Sequence, residues 1–187
     1  MKGKPKEEPR KKLLLKAGEI ERMRELPLSH PLNPKSGMLL RPLADTVGLS
    51  RLGVHLVRLK QGRESNMVHA HHYEEEFFYI LSGRGVALID GKKHAVGPGD
   101  FMAFPTPSAS HLLANPYEED LLYLVGGERK AFEIGEFPTI GKWLIRDGHK
   151  AYLVDRDALE EIDWRKGVKK KKAQRAAAAG GSGSCPT

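Results

Sequence analysis

The sequence of 187 residues contains a single cysteine, Cys185, in the closing stretch GGSGSCPT. One thiol cannot close an internal disulfide and is a poor basis for a thiolate metal site. It stands third from the end, whereas a prenylation signal needs it fourth; an exposed thiol without a role is expected. Also missing is any run of about 18 to 20 apolar residues, so no transmembrane helix is expected. The opening MKGKPKEEPRKKLLL is basic, but Leu13-Leu14-Leu15 is too short for a signal-peptide core and no small-residue cleavage site follows. The expected location is the cytoplasm.

Acidic charge is scarce at both ends. Residues 1–16 carry seven Lys/Arg and two Glu, and residues 165–187 carry seven Lys/Arg and no acid. The ends thus hold +12, and the overall +7 leaves −5 on residues 17–164. A nucleic-acid-binding fold normally shows its positive charge on the domain itself. The tails have the charge for weak, non-specific contact with RNA or anionic lipid. Basic runs are commonly solvated and solubilising, and that plainer reading is preferred. No specific nucleic-acid partner and no membrane partner is expected. Internal repeats and a helix-turn-helix are absent as well.

With 40% hydrophobic residues, the chain suffices for one domain with a core and is too short for two comfortable ones. Residues 1–12 read as a disordered basic tail. Residues 13–36, broken by Pro27, Pro31 and Pro34, suit an arm packed over a barrel. From 37 to 130, short apolar runs alternate with Gly, Pro, Asn and Asp breaks. Candidate strands are 38–41, 52–59, 67–71, 76–81, 85–90, 92–96, 101–105, 110–114 and 120–125, with Asp90-Gly91 as a hairpin signal. Such spacing without intervening helices indicates an all-β sandwich or barrel. Residues 131–164 read as an extension ending in a short helix, with Asp157 as N-cap and Glu160 completing a capping box. Residues 165–187 are Lys/Ala/Gly-Ser low complexity, expected to be disordered.

Three of the eight histidines lie in HAHHYEEEFFYILSG. In a strand His69 and His71 point to one face and can reach one ion. A carboxylate from Glu74, Glu75 or Glu76, directly before the apolar FFYIL, can return to it across the turn. Imidazole and carboxylate together suit Zn, Fe, Mn, Co or Ni. Paired surface histidines and solvated glutamate runs are common, but charges buried between apolar strands are costly without a partner, and a metal is the usual one. His72 should face away, His94 should be exposed, and His30 and His149 lie in loops. His55 is on a strand and could line a cavity, though a satisfied structural histidine is the preferred reading.

The segment resembles the cupin family. Gly62, His69, His71, Glu76 and Gly83 follow its first motif, with a Gly-to-His spacer one residue longer than usual. Gly99, Pro105, His111 and Asn115 follow its second, with Pro107 and Ser108 in place of a glycine and a loop one residue longer. Within this resemblance, to bacterial single-domain (type-2) cupins over about residues 37–128, Glu76 takes the carboxylate position because it lies seven positions before Gly83. His111 takes the fourth-ligand position. The resemblance implies a single cupin β-barrel (double-stranded β-helix, or jelly-roll) holding one divalent transition metal ion on His69, His71, Glu76 and His111. It also implies a homodimer in which a strand near Gly37–Pro42 lies against the partner's sheet.

Cupins share barrel and metal site while differing in reaction, so the fold alone does not name the chemistry. One expectation is a metal-dependent enzyme acting on a small oxygen-rich substrate, of dioxygenase, lyase, decarboxylase or isomerase type, with positions on the ion open to water, substrate or O₂. No general base is identified; Tyr79 and Tyr123 qualify by chemistry only. The alternative is a non-catalytic binder or sensor of a sugar or organic acid.

Overall fold

The structure, a computed structural model, describes residues 12–163; except for Lys12, the two expected tails lie outside the described residues. The chain opens with α1 (Ala17–Arg22), β1 (Leu26–Leu28), β2 (Met38–Pro42) and α2 (Leu43–Val47). Then come β3 (Leu52–Leu59), β4 (Ala70–His71), β5 (Glu76–Ser82), β6 (Gly85–Ile89) and β7 (Lys92–Val96). They are followed by β8 (Phe101–Phe104), β9 (His111–Ala114), β10 (Leu121–Glu128), β11 (Phe132–Phe137), β12 (Lys142–Asp147) and β13 (Lys150–Asp155). The fold is all-β. No helix among the described residues is long and apolar enough to cross a membrane.

The strands form a six-stranded sheet ordered β1-β2-β3-β10-β5-β8, a four-stranded sheet β13-β12-β11-β4 and a three-stranded sheet β7-β6-β9. One core joins the first and third sheets: Val57, Leu59, Phe78, Ile80, Phe104, Leu121 and Tyr123 from the large one, and Ala87, Val96 and Leu113 from the small one. Alternation along β5 explains its placement. Phe78 and Ile80 are buried while Tyr79 and Leu81 face outward, as a strand with one covered face requires.

Two turns set registers that matter for the site. Gly83 has φ +77, and a Cβ there would lie 2.2 Å from the Asp120 carbonyl oxygen, so only glycine fits. Asp90 (φ 45) and Gly91 (φ 74) join β6 to β7 through Ile89 opposite Lys92, the positive-φ pair that the hairpin signal anticipates.

The structure differs from expectation in three places. Within 67–71 only Ala70–His71 forms a strand. The extension after residue 130 builds the strands β11, β12 and β13. The expected C-terminal helix reduces to a single 3-10 turn, Arg156–Ala158, after Asp155, whose side chain makes no cap hydrogen bond. Pairing with β12, from Lys150 opposite Asp147 to Asp155 opposite Lys142, holds residues 150–155 as a strand, and residues 159–163 after the 3-10 turn take no regular secondary structure. Trp164 lies outside the described residues.

Candidate metal centre

Three sheets meet where the motif residues stand. His71 ends β4, Glu76 begins β5 and His111 begins β9. His69 sits just before β4 in an isolated antiparallel bridge to His111. Its N–H donates to the His111 carbonyl at 3.1 Å, and the His111 N–H returns the bond at 2.7 Å. Directly opposed residues project side chains to one face, and the two rings lie 4.5 Å apart between centroids. The His71 ring is 4.9 Å from that of His69 and 5.7 Å from that of His111.

One ligand atom from each of His69, His71, Glu76 and His111 lies within 4.8 Å of the others, so the cluster could hold a metal ion. The hydrogen bonding fits one. Nδ1 of His69 donates to the Met67 carbonyl at 2.8 Å, and Nδ1 of His111 to the Ala109 carbonyl at 2.9 Å. These bonds fix the proton on Nδ1 and leave Nε2 with a bare lone pair. Yet His111 Nε2 lies 2.9 Å from Glu76 Oε2. A positive charge reconciles the two atoms: a proton on Nε2, donated to the carboxylate, or a metal ion beside both. Both ring nitrogens of His71 are buried without a hydrogen-bond partner, as expected of a ring that keeps a lone pair for an ion.

Electrostatics agree. Burial, with help from the neighbouring His111, pushes the His69 pKa down to about 4, so the ring is neutral at pH 7. Burial pushes the Glu76 carboxyl up, but the His111 hydrogen bond and the nearby His69, His111 and His71 outweigh it and hold the carboxyl below its ordinary range. A neutral His69 beside an ionised Glu76 is the pairing of protonation states that metal ligands need. Phe104 stacks on His111 at 3.8 Å and 14°, closing its far face.

His69 and Glu76 open onto a cavity of about 290 Å³, otherwise lined largely by apolar side chains such as Met38, Leu40, Val57, Phe78 and Val125. His55 and Arg129 also line it. A Cβ built on Gly53 would stand 3.1 Å from Arg129 Nε and 3.5 Å from His55 Nε2, so the glycine leaves room for both side chains.

The remaining candidates fall elsewhere. Glu75 is exposed, and its backbone N–H donates to Glu128. Glu74 pairs with Arg146 and accepts from the Lys130 N–H. Tyr79 faces outward. Tyr123 lines the cavity, but its hydroxyl donates to Met38 Sδ, and burial, then the Glu76 charge, drives its pKa upward. His72 turns away to pack edge-on against Trp143, and His94 is exposed. His55, read as a satisfied structural residue, lines the cavity with an unpartnered Nδ1. Two polar neighbours of the site were not foreseen, Ser108 and Glu133. Ser108 grips the His71 backbone: its Oγ accepts from the His71 N–H at 2.7 Å and its N–H donates to the His71 carbonyl at 2.8 Å.

Residues 55–127 match the Cupin domain family. A provisionally named sugar phosphate isomerase from Acidithiobacillus ferrooxidans is 38% identical, with a TM-score of 0.79 over 80% of this chain and 96% of that one. The chain belongs to the cupin superfamily. This cupin is also similar to a sugar phosphate isomerase from Silicibacter pomeroyi, at 28% identity and a TM-score of 0.68 over 80% of this chain and 97% of that one. An uncharacterized protein of Methanocaldococcus jannaschii is 39% identical over 49 residues; the match spans 26% of this cupin and 38% of that relative's length.

Proposed function

We propose that this cupin is a metal-dependent isomerase of a small phosphorylated sugar, with His69, His71, Glu76 and His111 as ligands of one divalent transition metal ion, acting as a homodimer. The observation that carries this reading is one cavity with His69 and Glu76 of the four-residue cluster in its wall and a guanidinium, Arg129, as the only Lys or Arg lining it among the described residues. The two sugar phosphate isomerases are similar to the chain over nearly their whole length, which supports the substrate class.

The ion would supply Lewis-acid polarisation of the sugar's carbonyl and hydroxyl oxygens. The chain's own residues supply the rest. Aldose–ketose exchange moves a proton between adjacent carbons, and this calls for a neutral base beside the substrate. His55 suits that role, since burial first, and Arg129 after it, lowers its pKa against an opposing pull from Asp45. Tyr123, kept protonated by burial, serves as wall. Arg129 offers the phosphate a planar, permanently charged donor.

The test incubates metal-loaded protein with pentose and hexose phosphates in D₂O and follows deuterium entry next to the carbonyl by NMR. Exchange and isomer formation, reduced about 100-fold or more in His55→Asn, are expected. Tight binding without exchange would instead make the chain a sugar-phosphate binder.

A further inference from the structure

Glu133 is the least exposed carboxylate among the described residues, at 4%. It lies on β11, beyond the residues that match the Cupin domain family. Leaving a carboxylate dry is costly unless its charge is met. Here Oε1 accepts from the His72 N–H at 2.9 Å and Oε2 from the Tyr73 N–H at 3.1 Å. Among the described residues no Lys or Arg lies within ion-pair distance of it; its partner is His71, whose Nδ1 stands 3.5 Å from Oε1.

That partner separates His71 from the other two histidines. His69 and His111 each give their Nδ1 proton to the carbonyl two residues earlier, Met67 and Ala109. His71 has no such carbonyl. It pairs with β11, opposite Gly135, and the strand that covers it brings a carboxylate to its Nδ1. Ser108 holds its backbone from the other side.

Resting on the metal-site reading above, we infer that Glu133 is a positioning residue of the metal centre. With an ion on Nε2, the 3.5 Å approach of Oε1 to Nδ1 closes to a hydrogen bond in which Glu133 accepts the His71 Nδ1 proton. A charged acceptor also makes this imidazole a stronger donor than the two that rest on neutral carbonyls. The C-terminal strands therefore complete the metal site of the family's barrel.

The plainer role for Glu133 is to staple the 72–73 backbone, and the experiment separates the two. Zn and Co affinities of the full chain are measured by chelator competition for wild type, Glu133→Gln, His71→Ala and the double variant. Gln keeps one acceptor oxygen, within reach of both backbone N–H groups as Oε1 is at 2.9 and 3.4 Å, and loses the charge. We expect Glu133→Gln to weaken binding about 10–100-fold, to shift the visible spectrum of the Co form, and to cost nothing further once His71 is gone. In Zn-loaded wild type, long-range ¹H–¹⁵N spectra should place the His71 proton on Nδ1, a reading that needs no variant to fold. Wild-type affinity in Glu133→Gln, an undiminished loss on the His71→Ala background, or a His71 proton on Nε2 would overturn the inference alone. Wild-type protein that takes up no ion would overturn the metal reading with it.

Discussion

His69 and His111, 42 positions apart in the chain, hold each other by reciprocal backbone hydrogen bonds of 3.1 and 2.7 Å. The two imidazoles therefore share one face before any ion arrives, and much of the entropy of assembling the site is already met by folding.

Metal removal is the first check on that preorganisation. Chelation should lower the melting temperature, and Zn, Mn, Fe, Co or Ni should restore it. An ion at 100 times its Kd adds about 2.7 kcal/mol, several degrees for a domain of this size. Protein purified without a metal-affinity column that carries well under one metal per chain, and gains no stability from these ions, would refute the metal-site proposal.

The glutamates separate by face. Glu76 shares the inward face of β5 with Phe78 and Ile80, while Glu75 is exposed. Glu76→Gln should cost well over tenfold in metal affinity, and Glu75→Gln should leave it within a factor of about two, because a solvated side chain has no ion to lose. Isothermal titration with Zn or Co measures both. Equal losses, or a larger one for Glu75→Gln, would defeat the assignment.

The parts legible in the sequence are those where local chemistry is strict. Glycine at Gly83 and the Asp90-Gly91 pair fix registers through backbone conformation, and the β5 register then delivers Glu76. Two features escaped for physical reasons. β12 and β13 are short and carry charges at both ends, so their apolar centres read weakly; Asp147-Gly148, with Gly148 at φ 58, was the available signal. Glu133 and Ser108 reach His71 from 62 and 37 positions away, a proximity created by strand pairing and loop packing that leaves no local pattern.

Acid should destabilise the metal-free protein in a defined window. His69 has its pKa lowered from 6.5 to about 4 by burial, so folding favours the neutral ring. That contribution is fully present above pH 6.5 and is lost as pH falls toward 4, on the order of 3 kcal/mol in all. Glu76, also depressed, acts with the same sign at lower pH. The apo melting temperature should fall through this window, with a flatter slope in His69→Gln. A constant or rising melting temperature would contradict the buried neutral state.

Assembly is checked by mass. β2 is already paired on both sides, by β1 and β3, so the edge on that side of the sheet is β1, whose three residues are exposed. The outer face near β5 and β8 exposes Tyr79, Leu81 and Phe101, the last 63% accessible. An open edge and exposed aromatic surface are better covered than left to water. Light scattering at micromolar concentration should return twice 20.8 kDa; a monomer would count against the proposed homodimer.

Arg129 tests the substrate class. Its Nη1 and Nη2 pair with the Asp45 carboxylate at 2.6 and 3.0 Å, and the guanidinium holds that carboxyl below its ordinary range. Both side chains are about a third or more exposed, and such a pair is worth roughly 1 kcal/mol or less. A phosphate can therefore take the guanidinium from Asp45 at little cost. Asp45→Asn should tighten inhibition by inorganic phosphate several-fold, and Arg129→Met should abolish it and raise KM for a phosphorylated sugar with kcat less affected. A purely structural ion pair predicts the opposite for Asp45→Asn, because the loosened arginine would bind phosphate no better or worse. Unchanged phosphate inhibition in both variants would remove Arg129 from the substrate site and leave the ion proposed at His69, His71, Glu76 and His111 to anchor an anionic ligand.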